Sequence, residues 1–169
     1  MIKNKLKLDY YNLVCSHIYE LYGAGGCRYL FDPKLIAIIK FLRDNPLKRY
    51  ELIVNNWADS VKYGSTEYSQ RGLYCNCCAK SIVQSNQKIP DVNAHTLGKA
   101  IDFQVYDPKI KKFVTAESVA KLILEKSVRL KVPHHFNMKV NITDNYIHID
   151  TLDTFTIGDN EVVDKITEL

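Results

Sequence analysis

The stretch Asn93-Ala94-His95-Thr96-Leu97-Gly98-Lys99-Ala100-Ile101-Asp102 runs out of a polar loop, through a glycine turn and into a strand. From Ala100 to Tyr106 the residues alternate, with Ile101, Phe103 and Val105 on one face and Asp102 and Gln104 on the other. His95 and Asp102 are seven residues apart, a spacing that no single helix or strand turns into a chelating pair. A bend at Gly98 leading into the strand can do so, and small Ala100 lets the strand pack closely. Tyr146-Ile147-His148-Ile149-Asp150 supplies a second strand with His148 and Asp150 on one face. His95, Asp102 and His148 then offer two imidazoles and a carboxylate to one metal ion. That set suits zinc, and a fourth position left to water would make the site catalytic. Asp150 is placed to hold a ligand histidine from behind.

Around this pair the chain reads as a mixture of helices and strands. Residues 6–22 carry apolar side chains at helical spacing until Gly23-Ala24-Gly25-Gly26 interrupts them. Asp32-Pro33 predicts a helix start, with Leu35, Ile36, Ile38, Ile39 and Leu42 along its buried stripe and a stop near Asn45-Pro46. Tyr50 to Val54 reads as a strand. Residues 55–66 are a polar loop, 74–84 a short helix, and 85–94 a second loop. Asp107-Pro108 opens a turn, and Thr115 caps a helix containing Val119, Leu122, Ile123 and Leu124. Residues 137–142 and 146–152 form two antiparallel strands around Thr143-Asp144-Asn145. The expected fold is α+β, an antiparallel sheet with helices packed on one face. Residues 1–169 make a single domain, with 1–9 and 155–169 as arms, the latter a candidate final strand.

The composition bounds the partners. Hydrophobic residues are 46% and charged residues 25%, ordinary for a globular protein with a real core. The net charge of +4 is spread along the chain, with only a short run at Lys111-Lys112, so nucleic acid is not the expected partner. No apolar run is long enough for a membrane span, and Asp9, Asn12, His17 and Glu20 break any signal-peptide core. Synthesis in a cytoplasm without a signal peptide is therefore expected. The five cysteines are odd in number, and Cys75, Cys77 and Cys78 crowd together, unlike a secreted disulfide framework. Packed thiols are the simpler account of that cluster than a second zinc site, and His134-His135 reads as an exposed loop pair. Trp57 and tyrosines 63, 68 and 74 could line a groove for glycan or peptide, or serve as core or interface.

The motif H-x-x-G-x-A-x-D followed by H-x-D resembles that of the zinc peptidases of the D-Ala-D-Ala carboxypeptidase type, which share a core fold with the hedgehog signalling domain. Val54-Asn55-Asn56-Trp57, Gln70-Arg71-Gly72-Leu73 and Ala94 to Phe103 are similar to phage-encoded members, and the likeness covers roughly residues 10–152. It implies metal ligands at His95, Asp102 and His148, and Arg71 facing the substrate. A guanidinium there would clamp a carbonyl oxygen or carboxylate as charge develops. It also implies an endolysin-like or murein endopeptidase activity on the peptides of peptidoglycan, exerted at the cell wall or from a phage virion. Two departures stand out. Asn93 replaces a serine of the motif. Asn145 stands three residues before the last histidine, where the family commonly carries the general base. Asp144 is one residue away, on the wrong face of a regular strand, and a turn or bulge at 143–145 could restore it. Asp150 is the other candidate base. The alternative is a virion structural subunit, of ring, neck or tail, that keeps the peptidase-like fold with little or no activity. Its partners would be other phage structural proteins or further copies of the chain.

Overall fold

The computed structural model describes residues 13–14, 16–54, 72–73, 94–152 and 163–164. Three α-helices, a single 3-10 turn (Arg28–Leu30) and six strands are described: α1 (Ser16–Cys27), α2 (Pro33–Asp44), β1 (Glu51–Ile53), β2 (Ala100–Asp107), β3 (Lys112–Val114), α3 (Ala116–Leu130), β4 (Asn137–Asn141), β5 (Tyr146–Asp150) and β6 (Val163–Asp164). The expected break after the first helix falls at Gly23, which leaves helical geometry at φ 61, ψ 174. Asp32 starts α2 by accepting the Lys34 N–H at 2.8 Å. Thr115 does the same for α3 through the Ser118 N–H.

All described strand pairings are antiparallel, in the order β1-β2-β5-β4-β6, with β3 also paired to β2. The coarse expectation of an α+β fold on an antiparallel sheet therefore holds. Ile101, Phe103, Val105, Ile147 and Ile149 point into one core with Leu35, Ile38, Ile39 and Leu42 of α2 and Val119 and Ile123 of α3. Every one of them is almost fully buried, and burial of each such side chain is worth about 1.5–3 kcal/mol. Period-two alternation then forces Asp102, Gln104, Tyr146 and His148 onto the opposite face. The core thus sets which way the candidate metal ligands Asp102 and His148 point.

β3 is a finding that the sequence does not announce. Lys112-Phe113-Val114 is three residues long, and it is held by register, with Val105 opposite Val114 and Asp107 opposite Lys112. It lies along β2 beyond the part that pairs with β5, so β3 and β5 follow one another beside the same strand. Among the described residues no helix is long and apolar enough to cross a membrane.

Candidate metal centre

Asp102 and His148 are directly opposite each other across the β2–β5 ladder. Opposed residues share a face at close range. The His148 Nδ1 lies 2.6 Å from Asp102 Oδ1. His95 reaches the same oxygen from the 94–98 turn, its Nε2 3.6 Å away, with its ring edge-on to His148 at 5.3 Å between centroids. One ligand atom from each of the three residues lies within 4.8 Å of the others. Ligands ~2.0–2.1 Å from a tetrahedral ion sit about 3.4 Å apart. The three ligand atoms are therefore grouped closely enough that, with side-chain adjustment, His95, Asp102 and His148 could hold a metal ion.

The turn that delivers His95 is tightly tied. Gly98 N–H donates to His95 O at 3.1 Å and Lys99 N–H to Ala94 O at 2.8 Å. Gly98 carbonyl accepts the Asp32 N–H at 3.0 Å, joining the turn to the start of α2. Gly98 has φ 66, and a Cβ there would lie 2.1 Å from Leu30 O, so only glycine fits. Thr151, just past β5, donates from its N–H to Lys99 O and from its hydroxyl to Asp32 Oδ2 at 3.0 Å. Turn, helix start and the end of β5 are thus one bonded unit.

Each histidine has its other ring nitrogen occupied. His95 Nδ1–H donates to the Gly72 carbonyl at 3.0 Å, leaving Nε2 as the lone-pair nitrogen that faces Asp102. Gly72 itself abuts Leu13, whose carbonyl a Cβ would meet at 1.9 Å. His148 turns Nε2 to Asp150 Oδ2 at 3.2 Å. With Nδ1 facing Asp102 and Nε2 facing Asp150, Nδ1 is the nitrogen of His148 that could join Asp102 in holding an ion. Asp150, beneath the site, is held in turn by Asn137 Nδ2 at 2.8 Å and by the Leu152 N–H at 3.0 Å, both on Oδ1.

The side chains of His95, Asp102 and His148 are 13%, 18% and 19% exposed, open enough for a ligand yet largely shielded from water. Burial opposes charge on His148, but hydrogen bonds and charges from Asp102 and Asp150 outweigh it and raise its pKa to about 9. His95 goes the other way. Its burial dominates the pull of Asp102, and its pKa falls below the usual histidine value. The Asp150 carboxyl, despite burial, is held low by His148, Asn137 and the Leu152 N–H. Metal-free at neutral pH, the cluster thus holds His148 as an imidazolium and His95 as a neutral imidazole, with Asp150 ionised beneath them.

The two candidate bases fare differently. Asp150 touches His148 on the side away from Asp102. Asp144 lies exposed in the 142–145 turn, where its carboxylate accepts from Asn141 Nδ2 at 3.2 Å and its carbonyl accepts from Gln104 Nε2 at 3.3 Å. Asn145 is committed elsewhere. At φ 55 it accepts the Ala116 N–H at 2.7 Å and donates to Val114 O at 3.3 Å. It stitches the end of β3 and the first turn of α3 to the start of β5. Arg71, Asn93, Trp57, the three tyrosines, the expected 74–84 helix and the Cys75–Cys78 cluster lie outside the described residues. Gly72 and Asn137 are contributors that sequence reasoning passes over, and Asn145, which sequence reasoning weighs only as a missing base, is a structural one. Gly72 stands out only as the neighbour of Arg71, and nothing local marks Asn137.

Comparison with protein families, curated proteins and solved structures found no match to this chain.

Proposed function

We propose that the chain is a zinc-dependent peptidase of the D-Ala-D-Ala carboxypeptidase type, with a hedgehog-like core, cleaving peptide bonds of peptidoglycan. The observation that carries this is the meeting of His95 Nε2, Asp102 Oδ1 and His148 Nδ1, with both remaining ring nitrogens held by acceptors. When bound, zinc supplies Lewis acidity, which polarises a carbonyl and acidifies water at neutral pH. The chain's own residues do the rest. Gly72 and Asp150 fix the two imidazole tautomers. Asp102 brings negative charge that favours a dication. The proton-accepting role falls to Asp144, because Asp150 is consumed in holding His148. Arg71 clamps the substrate oxygen on which charge develops. The motif resemblance supports a phage origin and action at the cell wall.

One observation favours a second reading. Asn145 occupies the family's base position and is spent on the α3 cap and Val114. A virion subunit that keeps the fold and holds zinc without turnover fits that commitment. Purified, zinc-loaded protein incubated with peptidoglycan, beside His148→Ala and Asp144→Asn, separates the two. Release of new amino termini by wild type and its loss in both variants supports the peptidase. Bound zinc with no release, and stoichiometric protein in phage particles, supports the subunit.

A further inference from the structure

Asp150 has two carboxylate oxygens, and both are accounted for. Oδ1 accepts from Asn137 Nδ2 at 2.8 Å and from the Leu152 N–H at 3.0 Å. Oδ2 faces His148 Nε2 at 3.2 Å. Asn137 is opposite Asp150 on β4. A primary amide carries two N–H donors, and here Nδ2 spends one on Asp150 Oδ1 and the other on Leu152 O at 3.0 Å. The amide therefore closes a ring of bonds around the end of β5. With Oδ1 pinned from two sides, Asp150 has no freedom to rotate, and Oδ2 stays aimed at one ring nitrogen of His148.

We infer that Asn137 is a positioning residue of the metal centre: acting through Asp150, it fixes the His148 ring so that Nδ1 and not Nε2 is presented to the ion. The inference rests on the metal-binding part of the proposed function and is independent of the substrate. Alternatives at position 137 show why an amide is needed. Aspartate would set a second negative charge against Asp150. Leucine or alanine supplies no donor. Serine supplies one donor where two are used. Outer partners of this kind matter because a ligand histidine binds well only in the right tautomer and orientation.

Zinc itself is the probe. Its affinity is measured against a competing chelator, and histidine-selective NMR follows the His148 Nε2–H proton in the zinc-loaded protein. Wild type is expected to take up one zinc per chain, with His148 bound through Nδ1 and its Nε2–H slow to exchange. Asn137→Ala is expected to lose roughly tenfold or more in zinc affinity and to exchange that proton faster. Asn137→Ser should fall between the two, and it carries the test if the alanine variant does not fold. Unchanged affinity overturns the inference. So does weakened affinity with an unchanged Nε2–H signal, since the ring would then be held by something else. A wild-type protein that takes up no zinc overturns the metal reading itself, and that outcome is visible without any variant.

Discussion

A metal ion entering this site must evict a proton, and the structure says which one. His148 sits between Asp102 and Asp150, and its pKa is raised to about 9 in the metal-free protein. Relative to an ordinary histidine near ~6.5, at about 1.4 kcal/mol per unit, the imidazolium is favoured by roughly 3 kcal/mol. His95 is lowered, so it is neutral when His148 is still charged. Between the two midpoints, one proton leaves for each metal bound, and apparent affinity weakens about tenfold for each unit that pH falls. Histidine NMR of the metal-free protein should show the His148 ring protonated well past pH 8. Calorimetry of zinc uptake between the two midpoints, about one unit above the ordinary histidine value of ~6.5, in buffers of different ionisation heat, should report close to one proton released. In Asp150→Asn, one of the two carboxylates is gone and the His148 midpoint should move back towards the usual histidine range. A wild-type midpoint at or below about 6.5, or zinc uptake without proton release, would refute this account of the cluster.

Other outcomes follow from the same contacts. Because the folded pKa of His148 is raised, its stabilising contribution is full below the unfolded pKa and is lost as pH rises through about 9. Metal-free protein should therefore unfold at lower urea at pH 9.5 than at pH 6.5, by up to roughly 3 kcal/mol. Gly98→Ala forces a side chain into a left-handed turn against the Leu30 carbonyl. A loss of about 3 kcal/mol in stability is expected, together with weaker zinc binding because His95 shifts; wild-type values in both measurements would contradict it. Asn145→Ala removes the acceptor for the Ala116 N–H and the bond to Val114 at a left-handed position, leaving the Thr115 cap in place, and should cost about 2 kcal/mol. Asn145→Asp places a carboxylate where the D-Ala-D-Ala-type peptidases that the motif resembles carry their base, yet it should not raise hydrolysis, because that side chain is directed to α3 and not to the His95, Asp102 and His148 group. A clear gain in turnover would show the side chain reorienting.

Much of this site was legible because it depends on local rules. Alternation in 100–106 and 146–150 fixes which residues face away from the core, and Gly98 in a turn brings His95 round to Asp102. The ligand group follows from those two facts and residue chemistry. The supports were not legible because they depend on long-range register. Asn137 meets Asp150 only through the β4–β5 pairing. Asn145 meets Val114 and Ala116 only because β3 lies in line with β5. β3 itself is three residues long and carries too little pattern to declare a strand. The asparagine that reads as a missing base in sequence is, in the fold, a cap with its hydrogen bonds already assigned.

The central claim is that His95, Asp102 and His148 hold one metal ion. Zinc-edge anomalous diffraction from crystals of the zinc-loaded protein tests it most directly. The account predicts one strong peak bonded to His95 Nε2, the Asp102 carboxylate and His148 Nδ1, with Asp150 remaining on His148 Nε2. The absence of a peak at these residues, or a peak bonded through His148 Nε2, would contradict it.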